Sequence, residues 1–245
     1  MTGRGDRPVV PRRIARPAKP RRVLDWQPLH DPASRRYGAA ELVSAPPAHD
    51  VRWRGPSKII DQGAEGSCVG HGCVNLIGSE PNPAPRTRVT HAEAVRWYER
   101  AQRLDEWPGD DYSGTSVNAG MKVGRAFGWW DGWRWAFGPD EMRAAITLGP
   151  LVIGVPWRAG MYDTEPDGLV TTGGQEVGGH CLEVIAWVTD YAGHGPGYWW
   201  RNSWGPTYGI RGDGFVPEAT MAGLLAEVGE VAVPVGRKIG KSLDT

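Results

Sequence analysis

Helix-like and strand-like patterning occupy different halves of this chain and do not alternate. Ser67 stands where an N-cap belongs, and Val69, Cys73, Leu76 and Ile77 follow at i, i+4, i+7 and i+8 as one apolar stripe. That helix stops before SEPNPAP, whose prolines forbid continuation. A second helix is predicted in THAEAVRWYERAQRLDEW, with Thr90 and Glu93 spaced as a capping box and Pro108 beyond the end. GTSVNAGMKVGRAFGWW supplies a third, with Val117, Met121, Gly124 and Phe127 along one side, and PDEMRAAITLG a short fourth. From LVIGV onward the pattern changes. HCLEVIAWV, GYWWRN, GDGFVPE and EVAVPV read as strands separated by glycine-rich turns. Segregation of this kind predicts an α+β protein rather than alternating βαβ units. A helical lobe is expected over residues 61–145 and an antiparallel β-rich lobe over residues 146–235. Residues 24–60 read as an extended segment ending in a short strand near Val51–Trp53, and residues 236–245 as a flexible tail.

At 245 residues the chain can bury a sizeable core. It contains no run of eighteen apolar residues, so no membrane association is expected. Thirteen Trp and 35 Gly favour a loop-rich fold with bulky aromatic packing over a helical bundle. Three cysteines are too few for a disulfide framework. The N-terminus is basic but lacks the apolar stretch of a secretory signal. A reducing, cytoplasmic compartment is therefore expected, compatible with a bacterial or phage-encoded protein. Residues 1–22 carry eight Arg and Lys against one Asp, so the neutral net charge hides a balancing acidic excess in the remainder. Residues 1–23 read as a disordered basic tail, with an anionic partner as the functional alternative.

Cys68 falls in the first turn of a helix, where the positive end of the helix dipole stabilises a thiolate. Taken alone it could be a nucleophile, a metal ligand beside His71 and Cys73, or a core residue. On one helix, residues 68, 71 and 73 do not share a face, and structural zinc sites prefer paired C-x2-C knuckles, so no metal is expected. Cys73 and Cys181 read as core residues and His71 as partly exposed. Gly66 leaves room for a substrate backbone beside Cys68. His180 enters an apolar strand behind Gly178 and Gly179, which again allow close approach of another chain. Asn202 ends the next strand, where an amide oxygen can accept from an imidazole N–H and fix its tautomer. Trp204, two places on, can shield that bond from water.

DQGAEGSC, GGHCLEVIAW and YWWRNSWGPTYGIRGDGF occur in that order, each in the local structure its chemistry needs. On these motifs the chain resembles the papain-like cysteine peptidases, over roughly residues 24 to 233 and most weakly between 80 and 150. The resemblance implies a papain-like two-lobed fold with the active site in the cleft between lobes. It implies Cys68 as nucleophile, His180 as base and then acid, and Asn202 as the residue orienting His180. Gln62 and the Cys68 backbone N–H would be the oxyanion donors, with Trp204, Gly66 and Gly179 in support. The substrate implied is a polypeptide, and no cofactor is implied.

There are departures from the family pattern. Around the cysteine the row reads EGSCV, so Glu65 replaces the first cysteine of C-G-[SA]-C-[WY] and Val69 the aromatic. The separation between Cys68 and His180 is also shorter than the roughly 130–150 residues of lysosomal members. The function expected is a cysteine-type endopeptidase working through a thioester. Two alternatives stand beside it: a catalytically idle binding or scaffold module, and a thiol acyl-transferase or cell-wall amidase. The aromatic run FGWWDGWRWAF reads as core or lobe-interface packing ahead of a cleft lining, and Glu183 as a partnered or outward-facing acid.

Overall fold

Strand β4, Glu176–Val188, organises the molecule because every side chain from His180 to Val188 is buried, on both faces. The computed structural model describes residues 22–29, 32–43, 45–107 and 112–243. Beside β4 lie β3 (Leu151–Arg158) on one side and β5 (Gly197–Arg201) on the other, all antiparallel. Strands β2 (Gly132–Trp135), β6 (Asp213–Pro217) and β7 (Glu230–Val235) complete the order β2-β7-β3-β4-β5-β6, while the two-residue β1 (Val51–Arg52) pairs with β4. One face of the sheet carries helices α1 (Cys68–Gly78), α2 (His91–Gln102) and α3 (Val117–Ala126) in a single apolar core with Trp129 and Trp130. The other face packs Ile153, Val155, Trp157, Leu182 and Val184 against α4 (Pro139–Ala145) and α5 (Glu218–Glu227). Burying apolar surface on both faces explains why β3 and β4 read as near-continuous apolar runs.

Side-chain caps form at two helices, the one predicted at Thr90 and a further one at Ser116. The Thr90 side chain accepts from Glu93 N–H and that of Ser116 from Ala119 N–H. Ser67 precedes α1 but makes no such cap. Its hydroxyl faces the His71 ring instead.

Several expectations need correction. Helix α1 buries all of its residues rather than one stripe, and His71, expected to be partly exposed, is fully buried. The sheet covers one side of α1 and α2 the other. Trp129, Trp130 and Trp135 do pack in the core, but residues 132–135 are also strand β2, because GWRW zips onto β7. A boundary at residue 145 therefore leaves a sheet strand on the helical side. Helix α5 went unrecognised between two strands. The segment after residue 31 contains short 3-10 helices at Pro32–Tyr37 and Ala39–Glu41 rather than extended chain throughout. Glu183 faces inward, fully buried near Ser79 and Arg201, and burial pushes its carboxyl up to about 7.

Residues 236–243, expected as a flexible tail, are docked. The N–H groups of Lys238 and Lys241 donate to the carbonyls of Trp129 and Phe127, and Leu243 is buried. The expected basic tail lies outside the described residues over 1–21. Residues 22 and 23, assigned to it, are instead bound in the cleft described next.

Candidate active site

The loop from Asp61 to Ser67 brings Gln62 and Cys68 to the sheet at the point where β4 starts to be buried. Gln62 is fixed from both ends. Its N–H donates to Ser203 O at 2.8 Å, and its Oε1 accepts from Ser203 Oγ at 2.6 Å. That leaves Nε2 facing the other way, donating to Glu65 O at 2.8 Å and to Val23 O at 3.2 Å.

His180 and Asn202 are both fully buried, and His180 Nε2 lies 2.8 Å from Asn202 Oδ1. Ser203 N–H also donates to Asn202 Oδ1, at 2.7 Å, which makes that atom the acceptor. His180 Nε2 therefore carries the proton and Nδ1 keeps its lone pair, with no protein partner among the described residues. Trp204 lies against the imidazole with ring centroids 4.9 Å apart, and Trp157 meets it edge-on at 4.7 Å. These two rings wall the His180–Asn202 bond off from water.

The Cys68 thiol lies against the backbone N–H groups of Cys181, which follows His180, and of Asp25. Burial pushes its pKa up to about 11 against the help of those amides, and burial also pulls His180 down to about 4. With the site covered, both shifts favour the uncharged forms of the thiol and the imidazole.

Burial has a visible cause, because the chain's own N-terminal strap, residues 22–27, runs through the site. The Arg22 guanidinium pairs with Asp61, donates to Gly63 O at 3.1 Å and lies 5.8 Å from the Trp204 ring centroid. Asp25 and Trp26 make parallel bridges to Gly179 and Thr115, one on each wall. Trp26 N–H donates to Gly179 O at 3.0 Å and Gln27 N–H to Thr115 O at 3.1 Å. The Asp25 side chain bonds Ser113 Oγ and sits against Gly66, where an added Cβ would lie 2.0 Å from its carboxylate. Thus the room at Gly66 and Gly179 is used by this chain itself. The Trp26 ring, 2% exposed, covers Gly154 on β3, and its Nε1–H donates to Glu230 Oε2 at 3.3 Å. Leu29 N–H donates to the other Glu230 oxygen at 3.1 Å, and burial pushes that carboxyl up to about 8.

The structure brings Gln62, Cys68, His180, Asn202, Trp204, Gly66 and Gly179 into one region. Sequence reasoning missed Ser203, Trp157, Asp25 and Trp26. Ser203 was legible as the neighbour of Asn202 in NSWG, whereas nothing local marked the strap. Cys73 packs beside Val69 and Gly120. No group of three or more His, Cys, Asp and Glu side chains among the described residues is placed to hold a metal ion. No helix among them is long and apolar enough to cross a membrane.

No family model and no curated protein matches the sequence. Solved structures do match in shape. Xylellain, a cysteine protease from Xylella fastidiosa, superposes with a TM-score of 0.58 at 15% identity, covering 87% of this chain and 92% of that one. Procathepsin L 3 from the larval midgut of Tenebrio molitor gives 0.59 at 15% identity, over 86% and 75% of the two chains. Bromelain from Ananas comosus, in complex with the E64 inhibitor, gives 0.55 at 14% identity, over 78% and 100%. Over most of its length the chain shares the architecture of these proteins, and it has the papain-like cysteine protease fold.

Proposed function

We propose that this chain is a cysteine-type endopeptidase held closed by its own residues 22–27. The observation that carries the reading is the hydrogen-bonded string from His180 through Asn202 and Ser203 to Gln62. It orients a base and an oxyanion donor together, beside a helix whose first residue is a cysteine. In the reaction, His180 Nδ1 takes the Cys68 thiol proton as Sγ attacks the scissile carbonyl carbon. The oxyanion is held by Gln62 Nε2 and the Cys68 backbone N–H. Collapse expels the amine, which leaves with the proton from His180, and a thioester remains. Water then attacks, again giving its proton to His180, and the carboxylic acid and free thiol are released.

Substrate must displace residues 22–25 first, since these occupy the positions a scissile backbone needs. Trp204, Gly66 and Gly179 support the site: the ring shields the imidazole, and the glycines admit a backbone.

The test is turnover of a peptide library by the full chain and by Cys68→Ala. Loss of cleavage with unchanged thermal unfolding is the expected result, and wild-type turnover by Cys68→Ala would end the reading. An acyl-transferase would instead yield ligation products with added amines. A scaffold module would leave Cys68 no faster than Cys73 or Cys181 toward an epoxide reagent even when Arg22→Glu loosens residues 22–27 from Asp61.

A further inference from the structure

Behind the proposed nucleophile, two histidines with no assigned role form a chain of contacts that begins and ends on the same loop. His71, fully buried one turn into α1, places Nδ1 2.9 Å from Ser67 O, which also accepts the His71 backbone N–H at 3.0 Å. A carbonyl can only accept, so Nδ1 carries the proton and Nε2 is left as an acceptor. Burial pulls the His71 pKa down to about 4, which keeps the ring neutral. Its Nε2 lies 3.1 Å from His91 Nδ1, so His91 must donate there. The far nitrogen of His91 lies 3.7 Å from Glu65 Oε2, beyond hydrogen-bond reach, an ion-pair contact made by the imidazolium form, in which both ring nitrogens carry protons. Helices α1 and α2 can close this tightly because residue 70 is glycine: a Cβ there would lie 2.1 Å from Ala94 O.

Both ends of this chain matter to the proposed oxyanion donors. Ser67 C=O and Cys68 N–H belong to one planar trans peptide, so fixing the carbonyl from behind aims the N–H the opposite way. At the other end, Glu65 O is the second acceptor of Gln62 Nε2. We infer that His71 and His91 are positioning residues that tie the two oxyanion donors, Cys68 N–H and Gln62 Nε2, into one rigid frame. The inference rests on the peptidase reading above and adds to it a pair of residues that never touch substrate.

The experiment uses the full chain carrying Arg22→Glu, which sets like charge against Asp61 and loosens the strap. In this parent, His71→Phe keeps the ring volume and removes the donor. His71→Asn restores a donor, because its Nδ2 falls where Nδ1 sits. Two rates are read: peptide turnover, which needs the oxyanion donors, and iodoacetamide alkylation of Cys68, which does not.

His71→Phe is expected to lower kcat by roughly 10- to 100-fold, short of the 10²–10³ for deleting a donor outright, with KM and the alkylation rate little changed. His71→Asn should recover most of kcat. His91→Ala, a milder change at a half-exposed residue, should show the same split at roughly 3- to 10-fold and serves if His71→Phe fails to fold. Unchanged kcat, equal losses in both rates, or no recovery with Asn would each overturn the inference while leaving the peptidase reading intact. A parent with no turnover on any peptide would remove both.

Discussion

The Val23 carbonyl oxygen lies 3.2 Å from Gln62 Nε2, so a residue of the chain's own N-terminal strap occupies the donor that the proposed reaction keeps for an oxyanion. The same strap places the Asp25 backbone against the Cys68 thiol and Trp26 against β3. Access, rather than chemistry, is then the first quantity that substitutions should change.

Gly154→Ala offers the cleanest way to lift the strap. A Cβ there would lie 2.2 Å from the Trp26 ring, while the extended backbone of β3 accepts alanine without strain. Epoxide labelling of Cys68 should accelerate by roughly an order of magnitude, with thermal unfolding lowered by a few degrees. Labelling at the wild-type rate would show that Trp26 does not govern access.

Arg22→Glu tests the other end. The Arg22–Asp61 pair is partly exposed, so it contributes only about 1 kcal/mol, and reversing one charge adds a repulsion of similar size. Labelling and peptide turnover should both rise by roughly 10-fold at low salt, and the gain over wild type should shrink as salt screens the charges. A gain independent of ionic strength would mean that the guanidinium acts through its contact with Trp204 instead.

Asn202→Ala should separate orientation from nucleophilicity. It removes the acceptor at 2.8 Å from His180 Nε2 and leaves a buried N–H without a partner. In a strap-loosened background kcat is expected to fall by about 10² or more while Cys68 remains alkylable. Wild-type kcat in this variant would contradict the assignment of Asn202.

Glu230 sets a pH dependence with a definite sign. Its carboxyl is raised to about 8 in the fold, so the folded chain holds a proton that the unfolded chain has released between its ordinary value and 8. That contribution is fully present below the ordinary carboxyl range and is lost as pH climbs toward 8, by an amount on the order of 5 kcal/mol. Glu230→Gln, weaker by about 1 kcal/mol at pH 5 for one forfeited hydrogen bond, should lose less on going to pH 8.5. Parallel melting curves for the two proteins across that range would refute the assignment.

Much of this site was legible because its motifs are local. DQG, GSC, GGH and NSWG each sit in one turn or at one strand end, and the order of helices and strands places them on a common face. The parts that were not legible depend on contacts between distant segments. Trp26 and Asp25 lie in a proline-rich stretch with no period, and their partners Gly154, Gly179 and Glu230 are far away in sequence. His71 reads as a half-exposed helix residue until α2 is seen to cover it. Helix α5 was hidden because only Met221 and Leu224 of its side chains are fully buried, too few to make a stripe. Residues 236–243 lack any pattern of their own and are ordered by carbonyls that α3 and the turn after it leave open.

Because Trp26 belongs to the main core, the molecule that fills the cleft is tethered to it and cannot be diluted away. A tether of a few residues corresponds to an effective local concentration in the millimolar range, whatever the concentration of protein. A peptide competing for the site faces that fixed figure, so its apparent affinity is set by the linkage as much as by its own side chains. Purification or dilution would leave the resting state unchanged. Only events that weaken residues 22–26 themselves would shift the balance toward substrate.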